Sequence, residues 1–154
     1  MSFFVWQSKY SVGVPEIDRE HKRLFEVAGL LHTAMLAGKG KESERAALSE
    51  LIRYTAEHFR HEEAVMRRYN YADLAAHHAK HEAFTKTVLE FQAKYESGAA
   101  CLSVHMLQFV RTWLVEHIGS EDVKIAASIP EGPQPPAGDY SVPLARVNWP
   151  RNTA

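Results

Sequence analysis

The chain has 154 residues, a formal net charge of −1, and 45% hydrophobic against 24% charged residues. That balance suits one soluble globular domain with a real core, plus at most a tail, and gives no reason to expect nucleic acid or an anionic membrane as partner. The single cysteine, Cys101, excludes an internal disulfide framework and fits a reducing compartment, while nine histidines are the unusual count.

At the N-terminus, the short apolar run Phe3-Phe4-Val5-Trp6 follows no basic stretch, so it does not read as an export signal. The longest apolar-looking stretch, Phe25 to Leu36, is broken by Glu26 and His32 and is too short to span a bilayer. The expectation is a cytoplasmic protein with no membrane span.

Three turn signals divide the body: Gly38-Lys39-Gly40, Asn70-Tyr71-Ala72-Asp73 with Asp73 as candidate N-cap, and Ser97-Gly98 with Gly98 as candidate C′ residue. They leave four segments, 16–37, 42–69, 73–96 and 101–127, each with helical and none with alternating periodicity. The first seam runs Ile17, His21, Leu24, Ala28, Leu31, Met35, and the second Leu48, Leu51, Thr55, His58, Glu62, Val65, Tyr69. The third runs Leu74, His77, His81, Phe84, Val88, Phe91, Tyr95, and the fourth Met106, Phe109 or Val110, Trp113, His117. Short loops between such helices, each about 30–40 Å long at the usual rise, predict an all-α, antiparallel up-down-up-down four-helix bundle. Six of the seven prolines lie at or after position 130, so one domain is expected over 1–128 and a Pro-rich C-terminal extension over 129–154. That tail either stays disordered or docks through Tyr140, Val142, Leu144 and Trp149.

The polar exceptions on the seams are His21, His58, Glu62, His77, His81 and His117. In an up-down bundle all six gather toward one end. His58/Glu62 and His77/His81 are i, i+4 pairs on one face of their helices. Burying six unpaired polar groups together is prohibitively costly unless something binds them all, and a metal centre takes neutral imidazole and carboxylate as ligands. Asp122 is the candidate for a seventh ligand. Five residues of regular helix turn it about 140° away from His117, so a π-type widening between the two is expected. Zinc fits poorly, because its structural sites are usually four-coordinate and favour cysteine, and ligand types alone leave manganese open beside iron.

The residues Asp18-Arg19-Glu20-His21, His58-Phe59-Arg60-His61-Glu62-Glu63, His77-His78-Ala79-Lys80-His81 and Trp113-Leu114-Val115-Glu116-His117-Ile118-Gly119-Ser120-Glu121-Asp122 resemble the hemerythrin family over roughly 1–127. The Trp6…Tyr10-Ser11-Val12-Gly13-Val14 opening resembles its bacterial single-domain members, the bacteriohemerythrins. The resemblance implies two non-haem iron ions, bridged by oxo or hydroxo, with O2 as ligand. His77, His81 and His117 would hold one iron, His21 and His58 the other, and Glu62 and Asp122 would bridge them. It further implies an O2 pocket lined by Leu24, Phe59, Trp113, Leu114 and Ile118, whose apolar walls admit O2 and slow water.

Two octahedral irons offer twelve positions. Five histidines, two bridging carboxylates and one bridging oxygen leave one position open, on the iron with two histidines. A histidine-rich, carboxylate-poor set favours holding and returning dioxygen over oxidising a substrate. The expected function is therefore reversible dioxygen binding for storage, transport or delivery to an oxygen-using enzyme, by a non-enzymatic monomer. The alternative is an O2 or redox sensor signalling through the C-terminal tail. Of the other histidines, His32 and His105 are read as surface or boundary residues, and His61 and His78 as solvated neighbours or outer partners of the ligands. Glu63 is read as solvated, because it points about 100° away from Glu62.

Overall fold

A computed structural model describes residues 3–130. An N-terminal arm containing a 3-10 turn at Ser8–Tyr10 leads into four helices: α1 (Pro15–Leu36), α2 (Lys41–Arg68), α3 (Leu74–Glu96) and α4 (Val104–Ser120). A 3-10 segment, Asp122–Ser128, follows α4. The helices run antiparallel in chain order, and no strand occurs among the described residues.

Each boundary has a local cause. Pro15 opens α1, where its missing N–H would be unpaired in any case, and Glu16 and Asp18 lie in the same first turn. After α2, Asn70 takes a left-handed φ of 53°, the N–H of Tyr71 donates to Met66 O at 2.9 Å and that of Asn70 to Arg67 O at 3.2 Å. This is a Schellman stop, with asparagine where glycine is usual. Gly98, at φ 76°, plays the corresponding part after α3. Ser103 caps α4 by accepting the Met106 N–H at 3.2 Å. Asp73 occupies the N-cap position of α3, but its side chain makes no capping bond. The fourth helix is shorter than its predicted span: it stops at Ser120, about 26 Å along, and the residues to 128 wind as 3-10 helix instead.

Most seam positions are buried, while Met35, Tyr69, Leu74, Phe91 and Trp113 are only partly so. Ile17, Leu24, Ala28 and Leu31 from α1 meet Leu48, Leu51 and Val65 from α2, Phe84 and Val88 from α3, and Met106, Val110 and Leu114 from α4. Val110, rather than Phe109, is the fully buried member of its pair. The arm lies against α1, where Tyr10 stacks on Phe25 at 5.3 Å and Trp6 meets the same ring edge-on at 5.7 Å. Asp18 pins the arm by accepting the Ser11 hydroxyl at 2.6 Å and the Val12 N–H at 2.8 Å. No helix among the described residues is long and apolar enough to cross a membrane. Tyr140, Val142, Leu144 and Trp149, expected as docking residues of the tail, lie outside the described residues.

Candidate metal centre

Seven polar side chains meet at the end of the bundle where α1 and α3 begin and α2 and α4 finish. His21 comes from α1, His58 and Glu62 from α2, His77 and His81 from α3, His117 from α4, and Asp122 from the start of the 3-10 segment. None is more than 6% exposed. Their donor atoms fall into two groups, one of Glu62, His77, His81, His117 and Asp122 and the other of His21, His58, Glu62 and Asp122. Glu62 and Asp122 belong to both.

The first group has the shape of a coordination shell. The Nε2 atoms of His77, His81 and His117 form an equilateral triangle with 3.1 Å sides. Donors about 2.1 Å from one ion lie about 3.0 Å apart at right angles and about 3.4 Å apart at the tetrahedral angle, so the spacing of the triangle is nearer to that which three donors on one face of an octahedron would have. Glu62 Oε1 lies 3.0 Å from His77 Nε2 and 3.3 Å from His81 Nε2, which sets it opposite His117. Asp122 Oδ1 lies 3.2 Å from His77 Nε2 and 3.0 Å from His117 Nε2, which sets it opposite His81. This group would thus offer five donors to one ion. In the second group His21 Nε2 lies 3.1 Å from Asp122 Oδ2, and the Nε2 atoms of His21 and His58 each lie 3.5 Å from Glu62 Oε2. Each shared carboxylate therefore turns one oxygen to each group. Both ring nitrogens of His21, the Nδ1 of His77, Oε2 of Glu62 and Oδ1 of Asp122 are buried without a hydrogen-bond partner among the described residues. The orphaned atoms that face the cluster, His21 Nε2, Glu62 Oε2 and Asp122 Oδ1, are what a cation fits, and the cluster is able to hold metal.

Residues 12–128 match the family described as the hemerythrin HHE cation binding domain. The chain belongs to the hemerythrin family. It is 32% identical to a bacteriohemerythrin from Stenotrophomonas maltophilia over 133 residues, covering 84% of this chain and 83% of that one. It is 33% identical to a bacteriohemerythrin from Methylococcus capsulatus over 123 residues, covering 79% and 93% of the two chains. A crystal structure of wild-type hemerythrin superposes with a TM-score of 0.77 at 31% identity, covering 82% of this chain and 97% of the other. Hemerythrins hold a non-haem di-iron centre, and the two groups of donors that share Glu62 and Asp122 fit a pair of ions.

In this hemerythrin-family chain Asp122 does not reach the cluster by a π-type widening, as the spacing had suggested. The α-helix ends instead: the Glu121 N–H still donates to His117 O at 2.8 Å, and the backbone then changes course into the 3-10 segment that Asp122 begins. Terminating the helix removes the 140° problem, because the side chain is no longer held to a regular rotation.

Charge follows from the same contacts. Burial pulls the His21 pKa down, but its contacts with Asp122 and Glu62 outweigh this and push it up to about 9. His77 is also raised to about 9: burial lowers it, and Asp122 and Glu62 prevail. His117 goes the other way, because burial there outweighs Asp122. Burial raises both carboxylates, and in Asp122 the charge of Glu62 adds to this, yet the surrounding imidazoles hold Glu62 and Asp122 well below the usual carboxylate range.

The residues read as an O2 lining are placed along the same end. Leu24, Phe59, Leu114 and Ile118 are buried, and Trp113 is half-buried. Phe59 lies flat on the His81 ring, with centroids 3.8 Å apart, and Trp113 stacks on His117 at 4.2 Å. Glu63 departs from expectation: it is buried and accepts from the Nδ1 atoms of His78 and His81, both at 2.9 Å. The 100° that turns it away from Glu62 aims it at α3, not at water. Glu20, which the sequence reading passed over, accepts from His58 Nδ1 at 2.7 Å and pairs with His61 Nδ1. The only signal for either was its place beside a seam ligand. His105 is exposed, and His32 rests against Phe3 at 5.3 Å, so neither joins the cluster.

Proposed function

We propose that this chain binds dioxygen reversibly at a di-iron centre, for storage, transport or delivery, without transforming a substrate. The observation that carries this reading is the unequal sharing of donors: two groups, five and four strong, joined through the same two carboxylates. His77, His81 and His117 would hold one iron, His21 and His58 the other, with Glu62 and Asp122 between them. With one bridging oxygen shared between two six-coordinate ions, the four-residue group would be left one donor short, which is where a small ligand could bind. The iron pair, when bound in its ferrous form, would supply the two electrons that reversible dioxygen binding needs.

The chain's own part is to position donors and to keep the site dry. Imidazoles present Nε2 lone pairs, and five neutral rings against two carboxylates leave the ions short of anionic donors. Leu24, Phe59, Leu114 and Ile118 are buried and offer a bound ligand an apolar wall. Water and protons would convert a carrier into an oxidase, and the apolar wall slows both.

Gas uptake tests this directly. The reduced, iron-loaded chain should take up one O2 per two irons and return it under vacuum. Ile118→Glu places a carboxyl in the wall and should shorten the lifetime of the oxygenated form by about 100-fold or more, the scale on which a supplied proton assists such steps. Uptake without return would overturn the carrier reading, and an unchanged lifetime would overturn the dry wall.

A further inference from the structure

We propose that Glu20 and Glu63 are positioning residues, one for each half of the metal centre, each fixing one histidine ligand through its Nδ1 proton. The assignment rests on the di-iron reading above. Neither carboxylate belongs to the two donor groups. Each stands behind one of their imidazoles: Glu63 Oε1 lies 2.9 Å from His81 Nδ1 in the three-histidine half, and Glu20 Oε2 lies 2.7 Å from His58 Nδ1 in the two-histidine half. An ionised carboxylate can only accept, so each Nδ1 carries the hydrogen and each Nε2 is left with its lone pair. Those Nε2 atoms face the cluster, His81 at 3.1 Å from its two histidine neighbours and His58 at 3.5 Å from Glu62.

The two arrangements are built alike. In each, a His-x-x-His pair on one helix, His58/His61 on α2 or His78/His81 on α3, grips a glutamate from the preceding helix. One histidine of each pair faces the metal cluster, and the other, His61 or His78, is more exposed and holds the outer side of the carboxylate. Glu20 uses its two oxygens separately, whereas Glu63 takes both histidines on Oε1 and turns Oε2 toward Arg67, 3.5 Å away. The Nδ1 atoms of His21 and His77, by contrast, have no hydrogen-bond partner among the described residues. Among the described residues, a carboxylate stands behind the Nδ1 of one ring in each half, His81 and His58, and an anion there raises ligand basicity.

The test uses the full chain loaded anaerobically with Fe(II). Iron retention against a competing chelator is measured for the unmodified chain, Glu20→Ala, Glu63→Ala and the two Gln variants. The exchangeable imidazole N–H resonances of the diferrous forms, shifted by the paramagnetic ions, are recorded alongside. Removing an outer partner should weaken iron retention by about 10–100-fold, with the Gln variants, which keep an acceptor but lose the charge, falling between. Glu63→Gln should move the His81 N–H resonance and leave that of His58, and Glu20→Gln should do the reverse. Helix content and melting of the metal-free Gln variants should match the unmodified chain, which separates positioning from a general loss of fold. Unchanged retention and resonances, or the same resonances moved by both variants, would overturn the assignment. Fewer than two irons on the unmodified chain would overturn the di-iron reading itself.

Discussion

The two ends of the bundle use the same seam positions for opposite purposes. At one end those positions carry His21, His58, Glu62, His77, His81 and His117; at the other they carry Leu31, Leu48, Val88 and Met106, all buried. The apolar end closes on itself, helped by the Tyr95 hydroxyl, which donates to Lys41 O at 3.1 Å and lies 3.0 Å from Glu44. The polar end leaves buried donors without partners until cations take them. Burial of the apolar seam drives folding, and the stability it contributes is what allows a cluster of unsatisfied imidazoles and carboxylates to be held ready. A seam position is thus defined by geometry, and its chemistry is free to differ from one turn to the next.

The sharpest way to break this contrast is to substitute at each end. Glu62→Ala removes a donor from both groups and should lower iron retention beyond the about 100-fold that outer partners contribute, with metal analysis as the readout. Leu48→Ala, at the apolar end, should cost about 2–5 kcal/mol in denaturant unfolding and still retain two irons. Iron loss from the second variant, or full retention by the first, would erase the distinction between the ends.

Acidity separates the ends further. In the metal-free chain the raised pKa values of His21 and His77, about 9, mean their charged pairs with Glu62 and Asp122 stabilise the fold fully below about pH 6.5, and this is lost as pH rises through about 9. Iron must displace the same protons, so iron affinity should rise over that interval while metal-free stability falls. Anaerobic titrations with Fe(II) and unfolding curves at a series of pH values would show the two opposite slopes, and parallel slopes would refute the account. The smallest effect is expected on the surface of α2, where Arg53 pairs with Glu50 and Glu57 at 2.8 and 2.9 Å with side chains about half exposed. Arg53→Ala should change stability by no more than about 1 kcal/mol and leave iron binding untouched.

Much of this was legible in the sequence, and the exceptions share a cause. The i, i+4 pairs His58/Glu62 and His77/His81 declare a helix face and a chemistry together. Gly98 declares a helix stop through its left-handed backbone. Glu63 and Glu20 were hidden because a seam is only the centre of the buried arc: a helix in a bundle has neighbours on both sides, so a residue one step off the seam can face the adjoining helix. The approach of Asp122 was hidden because it depends on where α4 stops: Gly119 lies in the last turn of that helix, but its backbone is helical and gives no left-handed stop like that of Gly98.

The central claim, that the cluster binds dioxygen and lets it go, is tested most directly by optical spectra of the reduced, iron-loaded chain. They are taken anaerobically, after exposure to O2, and after purging. A charge-transfer band that appears with O2, disappears on purging and returns on re-exposure is the predicted result. Immediate irreversible oxidation with no such band would contradict it.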